Sequence, residues 1–127
     1  MNQIKHNVRN AIIKSVSIDI ERGILTGWIE LDYGGYSQSF GGYVLHIPDN
    51  DENQKNKNNY AGHFIMRCIQ IGGVQRWEDL KGKTIRIIYD NDKIYAIGHI
   101  VINDWFDIEA DFKKLQNESE TQLNFPF

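Results

Sequence analysis

The sequence predicts an α+β domain: an antiparallel β-meander of about five strands, one central amphipathic helix and a short C-terminal helix, in the order βββαββα. Three observations carry this. Ala11–Ile20 and Ile24–Tyr33 alternate with a period of two and are separated only by Glu21-Arg22-Gly23, the mark of an antiparallel hairpin. Tyr60, Phe64, Cys68 and Ile71 recur at i, i+4, i+8 and i+11, one stripe of an amphipathic helix. Thr84–Tyr89 and Ile94–Ile102 return to strand character around the turn residues Asp90–Lys93. Strands grouped before and after a helix, rather than alternating with helices, favour an antiparallel sheet over a parallel one.

Each element follows from its own residues. Met1–Asn10 is a polar lead-in. In Ala11–Ile20 the apolar residues Ile12, Val16, Ile18 and Ile20 share a parity and are expected on the core face. Gly23 supplies a positive φ for the turn. Leu25, Gly27, Ile29, Leu31 and Tyr33 form the core face of the second strand, with Trp28 on the other face. Two glycine pairs, Gly34-Gly35 and Gly41-Gly42, then bracket Tyr36–Phe40. If this segment is extended, Tyr36, Gln38 and Phe40 share one face and Ser37 and Ser39 the other. A third strand is expected from Phe40 to Ile47, with Tyr43, Leu45 and Ile47 on one face, ended by Pro48.

Asp49–Asn59 holds no apolar residue and reads as a solvated, mobile loop. The helix Tyr60–Ile71 is capped by Asn58 or Asn59 and stopped by Gly72-Gly73, and its polar side carries His63, Arg67 and Gln70. Trp77 and Leu80 anchor a connector inward. Ile94–Ile102 is apolar on both faces, which places it centrally in the sheet. Asp104 caps a helix over Trp105–Leu115. Residues 1–116 form a single domain, and the polar stretch 117–127 is a flexible tail.

The bulk properties narrow the function. At 127 residues, with 41% hydrophobic and 24% charged residues, the chain suits one folded domain. A net charge of −3 has the wrong sign for general nucleic-acid binding through phosphate neutralisation. Cys68 is the single cysteine, so no internal disulfide forms. No apolar run approaches the roughly 18 residues of a membrane span. The N-terminal residues lack the apolar core of a signal peptide, so the cytoplasm is the expected compartment.

Catalytic patterns are not visible. His6, His46, His63 and His99 lack the spacing of a metal site, and no cofactor is expected. Ser37 and Ser39 do not sit in a nucleophile elbow, and the glycine pairs precede no Lys-Ser/Thr phosphate loop. Cys68 lies on the apolar helix face as a small core residue. Binding remains. Tyr33, Tyr36, Gln38, Phe40 and Tyr43 gather around the glycines, and aromatic side chains on an exposed hairpin stack bases or anchor protein partners. Arg67 and Arg86 are candidate phosphate or partner contacts, and His99, beside Gly98, is the histidine of most interest.

The leading expectation is therefore a non-enzymatic binding protein. One alternative is a sponge for a nucleotide signal, with Tyr36 or Phe40 stacking the base and Arg67 or Arg86 holding phosphate. Others are a small structural or assembly component, and an enzyme pairing His99 with Asp104 or Glu78. A homodimer is compatible with a β-rich domain of this kind.

Three residue sets together resemble a family of small uncharacterised phage and prophage proteins. The first is Leu31, Tyr33, Gly34, Gly35, Phe40, Gly41, Gly42, Tyr43 and Leu45. The second is Trp77, Glu78, Leu80, Gly82, Ile85 and Arg86. The third is Ile97, Gly98, His99, Asp104, Trp105, Phe106 and Asp107. The resemblance covers most of Ile13–Leu115. It implies a phage context, in which compact acidic proteins often antagonise host defences by binding a defence component.

Overall fold

The computed structural model describes residues 7–42, 46–47, 58–91 and 93–123. In chain order the elements are β1 (Asn7–Glu21), β2 (Ile24–Tyr33), β3 (Tyr36–Gly41), β4 (His46–Ile47), β5 (Asn58–Asn59), α1 (Ala61–Gly72), a 3₁₀ turn (Trp77–Leu80), β6 (Thr84–Tyr89), β7 (Ile94–Gly98), β8 (Trp105–Phe106) and α2 (Ile108–Leu123). Six strands form one antiparallel sheet in the order β3-β2-β1-β6-β7-β8, and β4 pairs with β5 apart from it. The expected α+β class is the observed one.

Two tight turns set the first three strands. Arg22 and Gly23 have φ of 53° and 79°, and Gly34 and Gly35 have 63° and 86°. Two consecutive left-handed residues give a turn whose twist matches that of the flanking strands. The Tyr36–Phe40 segment is therefore itself a strand, β3, and not an approach to a later one. Of the strand expected over Phe40–Ile47, residues 43–45 lie outside the described residues, as does most of the Asp49–Asn59 loop.

β1 runs through the middle of the sheet. Asn7–Ile12 pairs with β6 and Ile12–Glu21 with β2. A bulge at Lys14 breaks the alternation, because Ile13 pairs with Leu31 but Ser15 with Glu30. One extra residue moves every later side chain to the other face. Ala11 and Ile13 thus point into the core before the bulge and Val16 after it, while Ile12 is 49% exposed. The common core face expected for Ile12, Val16, Ile18 and Ile20 is corrected at Ile12 for this reason. Ile18 and Ile20 do share the inner face with Val16, opposite Gly27 and Leu25, but no described element covers them there.

The core lies between the inner sheet face and α1. Ile29, Leu31, Ile85, Ile87 and Ile97 meet Phe64, Cys68 and Ile71 of the helix. Phe64 is central: its ring centroid lies 5.8 Å from Phe40, 5.9 Å from Phe106 and 6.3 Å from Trp77. The close approach needs glycine beneath it. A Cβ at Gly27 would stand 3.1 Å from the Phe64 ring, and one at Gly41 would stand 2.3 Å from the Gly27 carbonyl oxygen. Cys68 is buried in this core, and burial pushes its thiol well above its ordinary value.

Several boundaries differ from expectation, each because a distant partner takes over a local group. Asn58 and Asn59 pair with β4, so Tyr60 stands at the N-cap of α1 and no side chain caps the helix. Its stop is as expected, with Gly73 left-handed at φ 68°. β7 ends at Gly98 instead of continuing to Ile102, since Trp105 of β8 folds its ring over Gly98. That strand also lies one place from the sheet edge, not at the centre. Trp105 and Phe106 form β8 and are not helical. α2 begins at Ile108 with the Asp107 carboxylate accepting from the Ala110 N–H at 3.2 Å, and continues to Leu123, into the stretch expected to be a tail. Among the described residues no helix is long and apolar enough to cross a membrane.

Candidate functional site

The connection between β7 and β8, His99–Asp104, is built almost entirely from polar braces. The His99 N–H donates to the Asp104 carbonyl at 3.0 Å, and the Asp104 N–H donates to Ile102 at 2.9 Å. From β6, Arg86 donates through Nε to the His99 carbonyl at 2.6 Å and through Nη2 to the Ile102 carbonyl at 2.7 Å. Its guanidinium lies 4.7 Å from the Trp105 ring centroid. The His99 ring bends back into the loop, where Nδ1 accepts the Val101 and Ile102 N–H groups at 3.0 and 3.1 Å. Two donors aimed at Nδ1 require that nitrogen to be unprotonated. The outcome is three aliphatic side chains held in the solvent: Ile100 at 39%, Val101 at 77% and Ile102 at 55% exposure.

A second network pins this end of the sheet to the helices. Arg67 of α1 donates through Nη2 to Asp104 at 2.8 Å and to the Trp105 carbonyl at 3.1 Å, and its guanidinium lies 5.6 Å from the Phe106 ring centroid. Asp111 of α2 meets His63 at 3.0 Å and Arg67 at 3.8 Å. The hydrogen bond from Arg67, more than any other influence, holds the Asp104 carboxyl below the usual carboxylate range. His63 and Arg67 are thus half-buried clamps, not members of a solvated helix face. Sequence spacing carries no trace of this, because the acids stand 37 and 48 residues away.

The glycine-bracketed residues separate. Tyr36, Gln38 and Phe40 do share one face, as alternation requires, but it is the inner face. Phe40 is buried against Phe64 and Phe106, and Tyr33 is buried beside Tyr89, with Arg9 stacked over both tyrosine rings. These two rings are core and not an exposed platform, which corrects their expected role. Tyr36 alone projects, at 67% exposure. Tyr43 lies outside the described residues. Gln38 is half-buried at the wall of a cavity of about 230 Å³ between β3, the start of β7 and the first turn of α2. Neither Tyr36 nor Arg67, Arg86 or His99 lines it.

The expected residues therefore occupy three places: Arg67, Arg86 and His99 around the β7–β8 loop, Gln38 and Phe40 at the cavity, and Tyr33 with Tyr36 at the hairpin end. The two acids expected to pair with His99 are both engaged elsewhere, Asp104 by Arg67 and Glu78 by Arg76 at 3.2 Å. Among the described residues no three His, Cys, Asp or Glu side chains gather as metal ligands do. The chain matches no family model, no curated protein and no solved structure.

Proposed function

We propose that this chain is a non-enzymatic binding protein of phage origin that antagonises a bacterial host-defence component by binding it as a protein partner. The phage origin rests on the motif resemblance. The mode of action rests on one observation: the Ile100–Ile102 aliphatics stand exposed on a loop whose backbone is fixed by Arg86 and His99. An exposed apolar cluster on a rigid support binds without a large ordering cost, which distinguishes a protein-binding epitope from a mobile loop. A nucleotide sponge has less support, because the guanidinium groups of Arg67 and Arg86 already serve internal acceptors.

The test is co-elution of the chain with purified bacterial defence complexes on size exclusion. The wild type travels with one of them, and Val101→Asp, with an unchanged melting temperature, does not. No co-elution with any major defence complex, or co-elution indifferent to Val101→Asp, sinks the reading.

A further inference from the structure

The two side chains that brace the Ile100–Ile102 backbone differ in one property: only one of them can change its charge. Arg86 holds the His99 and Ile102 carbonyls, and a guanidinium stays protonated at any pH a folded protein meets. His99 holds the Val101 and Ile102 N–H groups through Nδ1 at 3.0 and 3.1 Å. The acceptor is a single lone pair in the plane of the ring, and it is also where the neutral ring takes up a proton. A proton on Nδ1 would set a third N–H against the two that already point there. Proton uptake and the two loop bonds therefore exclude each other.

The other ring nitrogen agrees with this assignment. With Nδ1 accepting, the hydrogen of the neutral ring sits on Nε2. Nε2 lies at the end of α1, where a Cβ on Gly73 would stand 3.3 Å from it. Gly73 is the left-handed residue that closes the helix, and the last carbonyls of a helix form its negative end. An N–H suits that place in either charge state, so the ring keeps its seat when it is protonated.

Charged groups reach this ring from each neighbouring element. Asp104, just before β8, is the anion, and Arg67 of α1 already donates to it at 2.8 Å. Arg86 of β6 is bonded to the backbone carbonyl of His99 itself. Asp111 of α2 and His63 of α1 stand behind Arg67. Arg67 keeps the Asp104 carboxyl below the usual carboxylate range. In this set only the imidazoles of His63 and His99 belong to the class that changes charge near neutral pH. Of the two, His99 is the one bonded to the loop.

We infer that His99 is a proton-operated latch on the Ile100–Ile102 loop: the neutral ring holds Val101 and Ile102 in place, and the imidazolium lets them go. The proton comes from solvent, to which the half-buried ring is open. The Arg86 bonds and the bond from the His99 N–H to the Asp104 carbonyl remain, so the change stays local. A released loop must be ordered again when a partner binds, and that cost weakens binding in acid. This consequence rests on the loop being the partner surface; the latch itself does not.

The experiment is an NMR titration of the free chain across about pH 8 to pH 5, the interval in which imidazoles change charge. Ring nitrogen shifts follow His99. Hydrogen exchange at each pH, divided by the intrinsic rate at that pH, gives the protection of each amide. In the neutral ring the hydrogen is found on Nε2. Protection of the Val101 and Ile102 amides falls roughly tenfold along the His99 curve, while the His99 amide keeps its own. In His99→Asn, which offers an acceptor that takes up no proton, protection is the same at both ends of the interval. The inference is overturned if the neutral ring carries its hydrogen on Nδ1, or if Val101 and Ile102 stay protected once His99 is protonated. It is equally overturned if their loss follows the His63 ring or persists in His99→Asn. Co-elution at neutral pH decides the partner surface and the titration of the free chain decides the latch, so the two fail separately.

Discussion

Of the places where the described residues expose branched aliphatic side chains, two do so for opposite reasons. At the β1–β2 tip, Ile18, Ile20 and Leu25 continue the inner face of a regular hairpin past the end of the helix that covers the rest. Their backbone is an ordinary ladder, and any side chain would occupy the same positions. At the β7–β8 loop, Ile100, Val101 and Ile102 leave the sheet altogether, and three polar side chains are spent on holding them out: Arg86, His99 and, through Asp104, Arg67. Exposure by itself is common on protein surfaces. Exposure maintained by converging hydrogen bonds is not, and it marks the loop as the more informative of the two surfaces.

The largest test of that contrast is Arg86→Ala. It removes two charge-assisted bonds to loop carbonyls and the contact with Trp105, and about 2 kcal/mol of stability goes with them. Chemical denaturation measures the loss, and hydrogen exchange shows the Val101 and Ile102 amides opening at least tenfold faster. Unchanged exchange would mean that the loop is held by something else.

His99→Ala comes next, at about 1 kcal/mol, since it leaves two loop N–H groups without their acceptor. His99→Asn sharpens the point: an amide oxygen can stand where Nδ1 stands, so this variant keeps most of the exchange protection that His99→Ala loses.

The Asp104 brace shows itself in acid. Its folded carboxyl titrates below the ordinary value of 3.8 because of Arg67. The folded form then binds fewer protons than the unfolded chain as acid is added, so the stabilisation is complete above that ordinary value and fades as pH falls through the lower folded one. Partial exposure of Asp104 and solvent screening keep the effect small. Thermal unfolding followed from pH 6 to pH 2 gives a shallower acid limb for Asp104→Asn than for the wild type. Identical limbs would remove Asp104 from the brace.

The smallest effect belongs to the hairpin tip. Ile20→Ser changes stability by no more than about 0.5 kcal/mol, as expected of a surface site with no buried partner. It leaves partner co-elution intact. Loss of co-elution in Ile20→Ser with Val101→Asp unaffected would reverse the roles of the two surfaces.

The residues most readable in the sequence were those whose signals are local. The turn at Arg22-Gly23, the α1 stripe of Phe64, Cys68 and Ile71, the Gly73 stop and the strand Thr84–Tyr89 all appear where pattern and turn chemistry put them. The candidate site was legible only in part. Arg67, Arg86 and His99 stood out as residue types, but their roles as braces were not visible, since Arg86 reaches acceptors 13 and 16 residues away. Tyr33 and Phe40 misled for a different reason. An aromatic next to a glycine reads the same whether it packs inward or projects, and only the covering helix separates the two.

Sequence alone determined the α+β class, the antiparallel hairpins and the helix with its apolar stripe, because periodicity and φ preferences act over a few neighbouring residues. Tertiary structure decided the rest. It placed the extra residue at Lys14 that turns one face of β1 into the other, ended β7 where the Trp105 ring covers Gly98, and took Asp104 from a helix cap to Arg67. Each of these outcomes is a competition between a local preference and a partner brought close only by folding, and a charge or a ring at contact distance outweighs a cap or a strand propensity worth about 1 kcal/mol.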